Sequence, residues 1–146
     1  MAADSDSRFT ADERAAMKER AREIKLEEKR AATRETGLAD IHAKIAEMDA
    51  QGQVMAKRIH DLITEAVPDL MPRTWYGMPA YTNASGKAVV FFQDAGKFDS
   101  RYSTLGFQDA ANLDDESGMW STSYAVVKLT PEVERRIVEL VKQAAS

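Results

Sequence analysis

The chain of 146 residues contains no cysteine. That excludes disulfides, thiolate metal sites and a cysteine nucleophile, and it fits a cytoplasmic protein. Histidine is limited to two residues and proline to four. No run of about 18 apolar residues is present, so no membrane span is expected. The opening stretch "MAADSDSRFTADER" has no basic-then-apolar leader, which argues against export. Basic excess is missing as well. With a formal net charge of -4, nucleic-acid wrapping and polybasic membrane contact gain no support from overall electrostatics. Signatures of catalysis are also missing: there is no Gly-x-Ser-x-Gly elbow, no phosphate-cradling glycine loop before a helix and no His-x-x-x-His pair. A binding role is therefore expected ahead of an enzymatic one.

Apolar residues make up 44% of the chain and charged residues 30%, a balance suited to one globular domain with an appendage. Thr10 and Glu13 have the spacing of a capping box, which predicts a helix from about residue 11 to 34. Its apolar residues are sparse (Met17, Ala21, Ile24) and charges of both signs run through it. The segment 1–36 therefore reads as a charged helical arm, either solvated or docking a partner protein. Thr36 and Gly37 are expected to end it. A short amphipathic helix should follow on Leu38, Ile41, Ile45 and Met48. The next, "VMAKRIHDLITEAV", carries Met55, Ile59, Leu62, Ile63 and Ala66 along one stripe and stops at Pro68.

From Pro72 the period changes from helical to strand-like. Residues 73–82 and 88–93 are rich in Trp, Tyr, Val and Phe and are joined by the turn formers of "NASGK", which predicts a hairpin. In the first of these, Gly77 and Pro79 predict a bulge or a sheet-edge position. Residues 98–107 and 122–129 read as further strands, with "QDAANLDDESGMW" as a loop between them. Thr130 caps a last helix with Pro131 at its first position and Val133, Ile137, Leu140, Val141 and Ala144 on one face. The expected fold is a two-layer α+β domain over residues 38–146, with an antiparallel sheet of about four strands packed against helices.

"TWYGMPAY", "KAVVFFQ", "YSTLGFQDAANLDD", "MW" followed by "TSYA", and the closing "LTPEVERRIVELVKQA" together resemble the YdhG-like family of small bacterial domains. The resemblance covers residues 38–146. It implies a frataxin-like fold and an intracellular iron chaperone that delivers Fe(II) to iron-sulfur or haem assembly proteins. One departure stands out: frataxin presents an acidic ridge on its first helix, whereas the first helix here mixes both signs. No ligand motif of the family maps residue by residue onto this chain.

Two candidate sites follow from the residues themselves. Asp114, Asp115 and Glu116, joined by Asp109, form the one dense carboxylate group and could offer hard oxygen ligands to Fe(II), Mg(II) or Ca(II). Alternatively they are solvated loop residues. Trp75, Tyr76, Tyr81, Phe107 and Trp120 could wall a cleft for a small apolar or planar ligand or a protein segment, or could simply build the core. His42 and His60 sit at the borders of apolar stripes and read as helix-rim residues; they would approach one another if their helices pack antiparallel, which would make a weak metal site. A monomer or weak dimer is expected, with no nucleic acid and no membrane partner.

Overall fold

The computed structural model describes residues 10–146. In chain order the elements are α1 (Ala11–Ala46), α2 (Ala50–Ala66), β1 (Met71–Trp75), β2 (Met78–Thr82), β3 (Ala88–Gln93), β4 (Ser103–Phe107), β5 (Ser123–Val126) and α3 (Pro131–Ala144). The protein is α+β, with helices packed against a five-stranded antiparallel sheet of order β1-β2-β3-β4-β5. Residues up to Glu35 make one compact unit and Thr36–Ser146 another. The first residues of the arm, 1–9, lie outside those described.

Thr10 caps α1: the Glu13 N–H donates to its Oγ1 at 3.1 Å. Along the following turns the side chains are almost all exposed, Met17, Ile24 and Leu26 included. Exposed pairs such as Glu19–Arg22 and Arg20–Glu23 link successive turns, each worth only a few tenths of a kcal/mol.

Contrary to expectation, Thr36 and Gly37 do not end this helix. It continues to Ala46 and absorbs the short helix expected on Ile41 and Ile45, both of which are buried. Gly37 serves packing instead. It is buried, and a Cβ there would run into the carbonyl oxygen of Pro72. Glycine costs a helix about 1 kcal/mol relative to alanine, a loss offset by this close approach of helix and strand.

The segment 73–82, expected as one strand, is two. Tyr76 and Gly77 form the two-residue turn between β1 and β2, with φ of 49° and 75°. Positive φ at both central positions is the requirement of a type I′ hairpin, whose twist matches that of the strands it joins. The prolines fit the resulting ladder. Trp75 pairs with Met78 next to the turn, and pairs alternate between bonded and non-bonded from there. Thr74–Pro79 and Pro72–Tyr81 fall on non-bonded pairs, so neither proline removes a hydrogen bond between β1 and β2. By the same alternation the Pro72 carbonyl faces the open side of the edge strand, where Gly37 covers it. That edge is thus closed to further strands.

On the inner face, Tyr81, Val90 and Phe107 form one cross-strand row, with Phe92 and Leu105 beside it. These side chains pack with Ile59 and Ile63 of α2 and Ile137 and Val141 of α3, all buried. A register shift between Tyr81 and Thr82 lets Val89 join Val90 in the core. The Asp49 carboxylate caps α2 by accepting the Gly52 N–H at 2.7 Å, and Thr130 caps α3 by accepting the Val133 N–H at 3.2 Å. Arg58 of α2 donates in a fork to Glu134 of α3, at 3.0 and 2.7 Å. No helix among the described residues is long and apolar enough to cross a membrane.

Gly37→Ala should lower stability by about 1–3 kcal/mol, the usual range for overpacking. Urea unfolding should show a lower midpoint with an unchanged slope. An unaltered midpoint would mean that the Gly37–Pro72 contact does not constrain the fold.

Candidate functional site

A concavity with convergent polar groups forms where the start of α2, the β3–β4 connection and the chain leaving β5 meet. Its floor begins with Asp94, a buried carboxylate immediately after β3. Asp94 Oδ2 accepts the Lys97 N–H at 3.1 Å, the Ser100 N–H donates to the Ala95 carbonyl at 2.9 Å, and the Ala95 N–H donates to Ser103 Oγ at 3.0 Å. Asp99 adds a left-handed residue, with φ of 51°. These bonds fold residues 94–100 into successive turns, which is why the strand expected from residue 98 begins only at Ser103. They also bring Arg101 and Tyr102 to the rim.

The groove encloses about 780 Å³, within the range of small-ligand sites. Val54 and Met55 of α2, Tyr102, and Val126, Val127 and Leu129 make its apolar wall. Val54 and Val127 are 72% and 71% exposed, so this part of the wall is open to solvent. Four charged residues line it: Asp49, Asp94, Arg101 and Lys128. The acids are engaged by backbone N–H groups, Asp49 by Gly52 and Asp94 by Lys97. Arg101 and Lys128, by contrast, enter no ion pair among the described residues. The Arg101 guanidinium lies 5.6 Å from the centre of the Tyr102 ring, a cation–π contact that leaves its donors free. Such an arrangement can hold an apolar or planar body with an anionic group at its rim. No histidine lines the groove.

The five aromatics expected to share one cleft are dispersed. Tyr81 and Phe107 are buried in the core under the helices, at 1% and 4% exposure. Trp75 lies on the other sheet face, its ring 4.6 Å from that of Tyr76 and 5.2 Å from Phe91. Tyr76 is exposed at the turn, and Trp120 is exposed in the β4–β5 connection. The hairpin is the physical reason. Cross-strand partners share a face, so Trp75 follows Met78 and Ala80, while Tyr81, one residue on, points the opposite way.

Asp109, Asp114, Asp115 and Glu116 are all exposed. Their loop is anchored by buried Ala111 and Leu113 and by the Asn112 N–H, which donates to the Ala144 carbonyl at 2.8 Å. The acids that follow Leu113 project to solvent. The Asp115 carboxylate turns to Ser117, whose side-chain and backbone donors hold its pKa below the ordinary range. Among the described residues no three His, Asp or Glu side chains gather as a metal-holding group.

His60 is not a rim residue. It is buried, and its Nδ1 lies 2.7 Å from the Tyr81 hydroxyl. Burial pushes the imidazole pKa down; Asp61 opposes the shift and His42 adds to it. Burial also raises the pKa of Tyr81, so its hydroxyl stays protonated at neutral pH. The stripe of α2 gave no hint of this, since the partner lies 21 residues away in sequence on another element.

No family model, curated protein or solved structure matches the chain.

The His60 shift sets a pH dependence. Below the ordinary value of 6.5 the unfolded chain binds a proton that the folded protein resists, so stability is full above that pH and declines as pH falls towards the folded midpoint. Glu134, held low by Arg58, and Asp115 lose their contributions only at more acidic pH, in and below the carboxylate range. Urea unfolding at pH 7.5, 6.5 and 5.5 should therefore show a loss on acidification, and ring NMR should put the His60 midpoint below 6.5. A flat profile over that interval would contradict a buried neutral His60.

Proposed function

We propose that the chain is a binding protein whose groove, bounded by α2, Tyr102 and the residues after β5, takes a small amphipathic anion. The observation that carries this reading is the pairing of an open apolar wall with two cations, Arg101 and Lys128, that enter no ion pair among the described residues. The ligand's apolar or planar part would lie against Val54, Met55, Tyr102 and Val127. Its carboxylate, sulfonate or phosphate would meet the guanidinium and the ammonium, in charge-assisted hydrogen bonds about twice as strong as neutral ones. The N-terminus of α2 adds a favourable dipole. Asp49 and Asp94 oppose a ligand that enters anionic end first, so the anionic end should stay at the rim. Such a module corresponds to the non-metal alternative left open by the sequence, with its cleft in a different place from the aromatic segment.

The iron-handling role implied by the family resemblance is a separate proposal, resting on the exposed acids of the 109–116 loop. The same titration tests both. Binding of 8-anilinonaphthalene-1-sulfonate and of a naphthoate, against their neutral amides, should be followed by calorimetry on the folded wild type, with Fe(II) titrated anaerobically in parallel. The anions should bind at least tenfold more tightly than the amides, and Arg101→Ala or Lys128→Ala should each remove most of that preference. Equal affinity for anion and amide, or unaltered binding in both variants, would sink the groove reading. Saturable Fe(II) binding abolished by the Asp114→Asn, Asp115→Asn, Glu116→Gln triple variant would support the iron role instead.

A further inference from the structure

We infer that His42 and His60 form a two-imidazole site for a borderline transition-metal cation of the zinc class, at the surface between the C-terminal part of α1 and α2 and apart from the groove. The two rings lie with centroids 5.8 Å apart and planes inclined at 66°. Nitrogens bonded at about 2.0–2.1 Å to one tetrahedral ion hold the centroids of two such rings roughly 5 to 6 Å apart. The observed spacing thus lies within a small side-chain adjustment of a bis-imidazole site.

Three further observations point the same way. His42 is exposed and His60 is buried, so a cation can arrive from solvent and bind a ring that is already held in place. Tyr81 provides the hold. Its hydroxyl engages Nδ1 of His60 and leaves Nε2 as the ring's remaining ligand atom. Metal-bound histidines generally have the second nitrogen anchored in this way. On metal binding the neutral ring takes the Nδ1–H tautomer, and that N–H donates to a lone pair of the Tyr81 oxygen, so the ring keeps its single proton. Finally, the Asp61 carboxylate is near enough to act electrostatically on both His60 and Tyr81, and a negative charge there favours a cation between the rings.

The chemistry selects the metal class. Neutral imidazoles suit zinc, copper and nickel, whereas magnesium and calcium require oxygen ligands. With two protein nitrogens and no thiolate the remaining positions fall to water, so binding should be reversible and exchangeable.

The test is a calorimetric titration of the full chain with Zn(II), with Mg(II) as control, combined with NMR of the histidine ring nitrogens. One equivalent of Zn(II) should bind, and both rings should shift together. His42→Ala should weaken binding at least tenfold. That residue is exposed, so the variant should unfold with the wild-type urea midpoint. The Asp114→Asn, Asp115→Asn, Glu116→Gln variant should bind Zn(II) as the wild type does. Absence of saturation up to millimolar Zn(II), unchanged affinity in His42→Ala, a shift confined to the His42 ring, or loss of binding in the acid-loop variant would each overturn the assignment.

Discussion

The left-handed pair at Tyr76 and Gly77 governs where the chemistry of this domain can lie. A continuous strand through residues 74–81 would keep Trp75 and Tyr81 on one face. A two-residue reversal pairs Trp75 with Met78 instead and sends Tyr81 to the opposite face. That parity change commits Tyr81 to the core and to His60, leaves Trp75 beside Phe91 on the sheet's other side, and removes any shared aromatic cleft. Tyrosine at positive φ is uncommon and costs about 1–2 kcal/mol. The hairpin it closes stands because β2 is buried along its whole length and paired on both sides.

The edge created by this hairpin is protected by backbone rather than by charge. Edge strands usually need lysines, prolines or a covering element to avoid pairing with a second chain. Here Pro72 removes a donor from the outer side, and α1 lies so close at Gly37 that no side chain fits between. One glycine therefore links the continuity of a 36-residue helix to the termination of the sheet. At the opposite edge lies β5, whose exit forms one wall of the groove.

Local signals carried much of the fold. The caps Thr10 and Thr130, the proline at the start of α3, the apolar stripes of α2 and α3 and the β3 run each contain their own cause within a few residues. What stayed hidden depends on contacts distant in sequence. Gly37 resembles a helix stop until Pro72 arrives against it, and His60 resembles a rim residue until Tyr81 meets it. The early residues of the 98–107 segment look extended, yet the Asp94 carboxylate and Ser103 hydroxyl hold the Lys97 and Ala95 N–H groups just before them, and the Ser100 N–H closes back on the Ala95 carbonyl. The acid loop was correctly seen as a loop, but the burial of Ala111 and Leu113, which turns its carboxylates outward, follows from packing.

The same distinction explains why the groove escaped a reading of motifs. Its lining comes from three stretches, residues 49–55, 94–103 and 126–129, none of which has a signature of its own. Arg101 and Lys128 are ordinary surface cations in sequence, and their significance comes from what surrounds them. The acids beside them keep their charge while accepting backbone N–H groups, whereas the two cations enter no ion pair among the described residues. Net charge describes solubility and long-range steering. At a site of this size, ligand preference depends on which polar groups still have donors to offer, and the anion proposed for the groove rests on Arg101 and Lys128 in that sense.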